Sequence, residues 1–312
     1  MSKNLKKQNF AVANVIHPLN YCGTEAGFYI SKALALSVSL EELTLMENIK
    51  FKQAISRMEL GSVVSNSTCD FETESTITLT ERSLQPKNLQ VNMQYCKTTL
   101  LNNWESLQMK AGAWNNTAPT FDEYLISLTA KEIAAGVENA VWNGTAAASG
   151  SFQGFLGAGG TFQTDATINN VVNAGTPFVQ SNVIANMSKA LAAVPSTVYG
   201  KEDLRMYINY KTYRLYISEI SKLGYVNAYN MNSDYVPVFE GVKLAVSYGM
   251  ADDRIVVAEK SNLFFGTDLL SDQTEIRTLD MSNLDGSNNV RIVAKYSAGV
   301  QHGVGADITF LK

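Results

Sequence analysis

The chain has 312 residues, 46% of them apolar and only 17% charged, with a net charge of -4. That apolar share argues against disordered, collagen-like and coiled-coil architectures, the length suits about two domains, and the acidic balance argues against a dedicated binder of phosphate backbones. Asn, Ser, Thr, Gly and Tyr stand where charge is missing, and they are buried at contacts with less desolvation cost than ions, so the composition suits a surface covered by neighbours.

In chain order, the basic cluster Lys3, Lys6 and Lys7 precedes no apolar run of signal-peptide length, and no stretch of about 20 apolar residues occurs, which predicts a soluble protein made in the cytoplasm. Residues 1–22 read as an extended arm, and 24–45 as one or two helices with Phe28, Leu34 and Leu36. Residues 49–60 and 76–95 alternate as strands around the loop-forming tip Gly61–Thr68. Together they predict a long β-hairpin whose second arm, about 15 residues at roughly 3.3 Å each, reaches about 50 Å. An isolated two-stranded hairpin is marginal in water, so one this long and polar needs a partner surface.

Thr120 as N-cap with Glu123 three residues on forms a capping-box pattern. The apolar spacing of Phe121, Tyr124, Leu125 and Leu128 then predicts a helix over 120–143, stopped by Gly144. A Gly- and Ala-rich link follows at 144–160. Beyond it, helices are expected at 182–193 and 210–223, with strands at 205–209, 235–247, 254–258, 275–280 and 290–296.

Signals for chemistry are sparse. The chain has two histidines, His17 and His302, and neither lies in a hydrolase or metalloprotease motif; His302, within Gly299–Gly305, reads as part of a turn between terminal strands. The run Gly154–Gly160 has the backbone character of an anion nest but lacks the Lys-Ser/Thr of a phosphate loop, so a flexible hinge is the better reading. The pairs Glu41-Glu42 and Asp252-Asp253 read as solvated charge, because adjacent helical residues do not face each other. Trp104, Trp114, Trp142 and the stripe Tyr210, Tyr213 and Tyr216 read as core or interface. Cys22, Cys69 and Cys96 form no disulfide or zinc pattern, and the four Asn-x-Ser/Thr sequons read as chance.

Several segments carry a family resemblance: ITLTERSLQPKNLQVNMQYCKTTLLNNWES at 77–106, FDEYLISLTAKEIAAGVENAVWNGT at 121–145, FQGFLGAGG at 152–160 and NLFFGTDLLSD at 262–272. Across nearly its whole length the chain resembles the major capsid proteins of tailed bacteriophages. The resemblance implies an α+β chain with the Hong Kong 97 type capsid fold. Its parts would be an N-terminal arm at 1–37, an extended loop at 49–95, and a peripheral domain at 96–150 and 268–312 containing a spine helix at 120–143. An axial domain would occupy 151–267.

The implied function is structural: self-assembly, through pentamers and hexamers, into the icosahedral shell enclosing a double-stranded DNA genome. No catalytic residue, cofactor, metal or membrane is implied, and DNA is enclosed without sequence-specific binding. A separate scaffolding protein, a portal and decoration proteins are the expected partners, with assembly in the host cytoplasm. No cleaved helical scaffolding segment is expected, because the fold-like pattern begins almost at Met1. Candidate contacts between subunits are Gly61, Ser62, Val63, Val64, Asn66 and Phe71 around the hairpin tip, and Phe10 and Val12 in the arm. Lys52 and Lys87 read as solvated lysines rather than crosslinking ones. The alternatives are an encapsulin-like compartment, which shares the fold, and an α/β enzyme that binds a nucleotide or other small molecule through its Gly-rich link.

Overall fold

The computed structural model describes residues 39–60, 64, 77–100, 119–173, 177–224, 237–268 and 276–312. A 3-10 turn (Ser39–Glu42) leads into β1 (Thr44–Met46), β2 (Gln53–Leu60), β3 (Ile77–Leu84), β4 (Lys87–Cys96) and helix α1 (Pro119–Asn143). Then come α2 (Thr161–Thr164), β5 (Asn169–Val171), α3 (Val183–Ala192), β6 (Leu204–Asn209), α4 (Tyr210–Lys222), β7 (Val238–Phe239) and β8 (Val242–Ser247). The remaining strands are β9 (Ile255–Glu259), β10 (Leu263–Gly266), β11 (Ile276–Asp280), β12 (Asn289–His302) and β13 (Thr309–Leu311).

A six-stranded sheet has the order β5-β13-β9-β6-β8-β7. All five residues of β9 are buried, because this central strand is covered on both faces. Strand alternation divides it: Ile255 and Val257 join the core under α3 and α4, while Val256 and Ala258 join a second core with Trp142, Phe155, Phe162 and Phe310. Helix α3 buries Val183, Met187, Ala190 and Leu191, the stripe expected of a helix lying on a sheet. The Asn209 side chain accepts from Lys211 N at 2.8 Å and caps α4.

A five-stranded sheet is organised around β12, which pairs with β4 from Asn289↔Cys96 to Ala298↔Lys87. It also pairs with β11 and β10, and β10 carries β1 in parallel. Leu89, Ala294, Ala298 and Val300 share a core with Ile133, Val137 and Val141 of α1. Strands β2 and β3 form a separate two-stranded ribbon.

Several expectations are corrected. Within 24–45, residues Ser39–Glu42 make a 3-10 turn and Thr44–Met46 a strand, because β1 finds a partner in β10; positions 24–38 lie outside the described residues. Helix α1 begins at Pro119, so Thr120 is helical rather than the N-cap; a proline suits a first turn that has no use for its missing N–H. The long second hairpin arm is two strands. Among the described residues, pairing in the ribbon runs from Leu60↔Ile77 to Gln53↔Leu84, eight residues in each arm that span about 26 Å. Past Gln85-Pro86, β4 leaves the ribbon for β12, since a proline cannot donate to a ladder. Gly299–His302 belongs to β12 and pairs with β10, with the turn starting only at Gly303. Two short strands cross the expected domain division: β10 joins the five-stranded sheet and β13 the six-stranded one.

Candidate assembly interface

The Gly-rich link is seated on the end of α1. The last carbonyls of a helix lack intrahelical partners, and here the link supplies them: Phe155 N donates to Val141 O at 2.9 Å, Leu156 N to Trp142 O at 2.7 Å and Gly157 N to Trp142 O at 3.1 Å. This approach requires glycine. A Cβ on Gly157 would lie 2.1 Å from Gly144 O, and one on Gly154 2.4 Å from Ala140 O. Phe152, Phe155 and Leu156 are buried, so the expected hinge is a fixed plug. Its inner N–H groups are spent on α1, which removes the anion nest on which a nucleotide-binding reading depended.

Buried polar contacts hold the turn at Ser39 and the root of the ribbon β2–β3. At Ser39, the backbone N–H donates to Glu138 Oε2 at 3.0 Å and the hydroxyl to Glu138 Oε1 at 2.7 Å. Trp142 Nε1 donates to Ser39 Oγ at 2.7 Å, and Ser247 Oγ donates to Glu138 Oε1 at 2.6 Å. At the ribbon root, Leu84 is buried against Gly266, Gln301 Nε2 donates to Ser83 O at 3.1 Å, and Arg82 pairs with Asp165 at 2.5 Å.

Away from this root the ribbon is open. Alternation and register put Met58, Ile77 and Leu79 on one face, with relative exposures of 66%, 65% and 58%. Val64, a predicted contact residue, is 89% exposed. Gly61, Ser62, Val63, Asn66, Phe71, Phe10 and Val12 lie outside the described residues. Met58, Ile77 and Leu79 thus form an exposed apolar row on the described part of the ribbon.

Other candidates take structural roles. His302 is fully buried and its Nε2 lies 2.9 Å from Asp165 Oδ2. Lys87 and Lys52 are exposed, as expected of solvated lysines, and Lys87 Nζ also donates to Ser151 O at 2.7 Å and Ala146 O at 3.0 Å. Of the acidic pairs, Glu41 is exposed, whereas Glu42 pairs with Arg205, Asp252 with Lys211, and Asp253 Oδ1 accepts from Phe178 N. Trp142 and Tyr216 are core residues, whereas Tyr210 stacks on Tyr248. Trp104, Trp114, Cys22, Cys69 and His17 lie outside the described residues, and Cys96 Sγ contacts Thr98 Oγ1 at 2.9 Å. Among the described residues, no cluster of His, Cys, Asp and Glu suits a metal ion, and no helix is long and apolar enough to cross a membrane.

Lys97 was not anticipated as a structural residue. It is buried, and its Nζ contacts Asp280 Oδ2 and donates to Ser282 Oγ at 2.9 Å. Burial by itself would raise the Asp280 pKa, but hydrogen bonds from Lys97 and Ser282 overcome this and bring it from 3.8 down to about 2. A lowered aspartate pKa contributes stability above its unfolded value and loses it as pH falls through the folded one. Unfolding free energy is therefore expected to drop between pH 3.8 and about 2. Denaturant titrations at several pH values should show a shallower acid limb in Asp280→Asn.

No protein-family model matches the chain, and no curated protein matches its sequence. Solved structures similar to it include the capsid of an empty GTA particle, with TM-score 0.60, 14% identity, and coverage of 91% of this chain and 92% of that one. Mycobacterium phage Ogopogo gives 0.59, 14%, 91% and 94%. The capsid of Myoviridae phage XM1 gives 0.58, 12%, 91% and 94%. The chain has the fold of tailed-phage capsid proteins.

Proposed function

We propose that the chain is the major capsid protein of a tailed phage and assembles with copies of itself, as pentamers and hexamers, into an icosahedral shell around double-stranded DNA. The observation that carries this reading is the ribbon β2–β3, whose face of Met58, Ile77 and Leu79 is open in a chain that shares the phage capsid fold over 91% of its length. A neighbouring subunit is the partner that covers it. The role is structural and requires no reaction, cofactor or metal.

In this reading the fold is of the Hong Kong 97 type. Residues 1–37 are the arm, and 49–95 contain the extended loop with its return strand β4. Residues 96–150 and 268–312 form most of the peripheral domain around the spine helix α1, and 151–267 form most of the axial domain, with β10 and β13 exchanged between the two sheets. Gly61, Ser62, Val63, Val64, Asn66, Phe71, Phe10 and Val12 remain the proposed contacts. A separate scaffolding protein, portal and decoration proteins complete the particle, assembled in the host cytoplasm.

Electron microscopy of the purified chain, alone and with a scaffolding protein, tests the reading. Closed shells or rings of five and six subunits are expected. A chain that stays unassembled with its scaffold overturns it. Leu79→Glu, at an exposed ribbon position, is expected to lower shell yield at least tenfold while leaving the melting temperature of the unassembled chain within about 2 °C of the parent. Normal shells from this variant would remove the ribbon from the interface.

A further inference from the structure

Three distant segments meet on the carboxylate of Asp165. Its Oδ1 accepts from Thr167 N at 2.9 Å and Thr167 Oγ1 at 2.7 Å. Its Oδ2 accepts from Arg82 of β3 at 2.5 Å and lies 2.9 Å from Nε2 of His302, at the end of β12. The Asp165 side chain is 9% exposed, that of His302 1% and that of Arg82 31%. Gly305 leaves the space this requires, since a Cβ there would lie 2.2 Å from both Asp165 Oδ2 and Thr167 Oγ1.

Protonation follows from the surroundings. Burial pushes the His302 pKa down more than the hydrogen bond to Asp165 raises it, so the ring is neutral near pH 7. The Asp165 carboxyl, although burial opposes it, is held well below the usual range by His302, Thr167 and Arg82. A neutral ring facing a carboxylate donates through Nε2–H, and Nδ1 is buried without a protein partner among the described residues.

What it holds is the ribbon. Beyond Arg82 the described residues of β3 are exposed; at the root, Leu84 and the Gln301–Ser83 hydrogen bond add to the grip on β3, while on the β2 side buried Ile49 and the hydrogen bonds of Asn48 N to Asp268 O and Ile49 N to Thr267 O hold the chain just before the ribbon. Length makes the root sensitive: over about 26 Å, a tilt of about 10° moves the far end by about 4–5 Å. Interdigitating apolar contacts do not tolerate a displacement of that size.

We propose that Asp165 is a positioning residue for assembly: by holding Arg82, with His302 as its brace, it sets the direction in which the ribbon β2–β3 leaves the body. The consequence for shell geometry rests on the capsid reading above; the effect on the ribbon itself does not.

The test uses the full, unassembled chain and hydrogen exchange read by mass spectrometry. Asp165→Asn and Arg82→Gln are each expected to speed exchange in peptides covering 77–84 at least tenfold while leaving 255–259 at the parent rate. The double variant should be no faster than either single one. Arg82→Lys should return exchange close to the parent rate, because Arg82 makes one contact with Asp165 and a point charge can replace it. If Asp165→Asn fails to fold, Arg82→Gln carries the test alone, since its side chain is partly exposed. Parent-like exchange at 77–84, or acceleration of equal size at 255–259, overturns the proposal. In assembly, Arg82→Gln should give misshapen or open particles rather than none. If the parent never assembles but the exchange pattern holds, the positioning role stands and the capsid reading falls.

Discussion

Replacing Gly157 by alanine is expected to destabilise the chain by about 4 kcal/mol or more and to lower its melting temperature by roughly 10 °C. The new Cβ would sit 2.1 Å from Gly144 O and 2.7 Å from Asn143 O. Both are backbone atoms at the end of α1, so no rotamer change relieves the overlap. Either the plug lifts and the last carbonyls of α1 lose their donors, or the helix end distorts and disturbs Trp142, which is fully buried. Two glycines nearby act as controls. Gly159 has φ +71 and no atom within 4 Å of an added Cβ, so alanine there costs only the left-handed backbone term, about 1–2 kcal/mol. Gly136 lies exposed inside α1 with open space around it, and alanine there should add about 0.5–1 kcal/mol of stability. Urea unfolding of the three variants reads the order directly. If Gly157→Ala behaves like Gly159→Ala, the plug is not seated on the helix and its N–H groups again become candidates for an anion.

The same glycines show how far the sequence could be read. The backbone character of Gly154–Gly160 was legible, but it read as a flexible hinge; that the helix end approaches Gly154 and Gly157 was not. An anion nest and a helix cap ask for the same residues, and the distinction lay in α1, whose end at Asn143 leaves carbonyls in want of donors immediately before the run. Helices α3 and α4 and strands β6 and β9 were legible within a residue or two, because short-range periodicity and a cap such as Asn209 determine them. The hairpin was overextended because alternation continues through 87–95, and only Pro86 marks where one sheet ends and another begins.

The buried polar residues at the Ser39 turn and the ribbon root were illegible for a different reason. A buried Glu138 or Asp165 has the same letter as a surface acid, and its partners are remote: Ser39 lies 99 positions from Glu138, Arg82 83 from Asp165, and His302 137 from Asp165. Nothing local separates such a residue from a solvated one. Yet one logic serves both places. At each, a buried carboxylate collects several donors and fixes the local geometry, which apolar packing, being non-directional, would specify less sharply.

Glu138 allows that logic to be measured. Glu138→Gln is expected to cost about 2–4 kcal/mol, with a drop in melting temperature of roughly 5–10 °C, although the side chain keeps its shape. Oε1 receives the hydroxyls of Ser39 and Ser247, with Gly249 N at 3.4 Å, and Oε2 receives Ser39 N. An amide retains one acceptor. Keeping its oxygen toward the hydroxyls turns its NH2 on Ser39 N–H, donor against donor; the opposite orientation deprives both hydroxyls. Ser39→Ala should cost less, about 1–3 kcal/mol, by leaving the Trp142 indole N–H without its acceptor. Ser247→Ala removes a single donor and should cost about 1 kcal/mol. The order Glu138→Gln, then Ser39→Ala, then Ser247→Ala is read by denaturant unfolding. Exchange in peptides covering 39–46 should rise in Glu138→Gln before the six-stranded sheet opens, because the carboxylate holds the turn that leads into β1. Equal costs for all three substitutions would mean that Glu138 only fills space, and the stability of the Ser39–Glu42 turn would then have to come from the packing of Trp142.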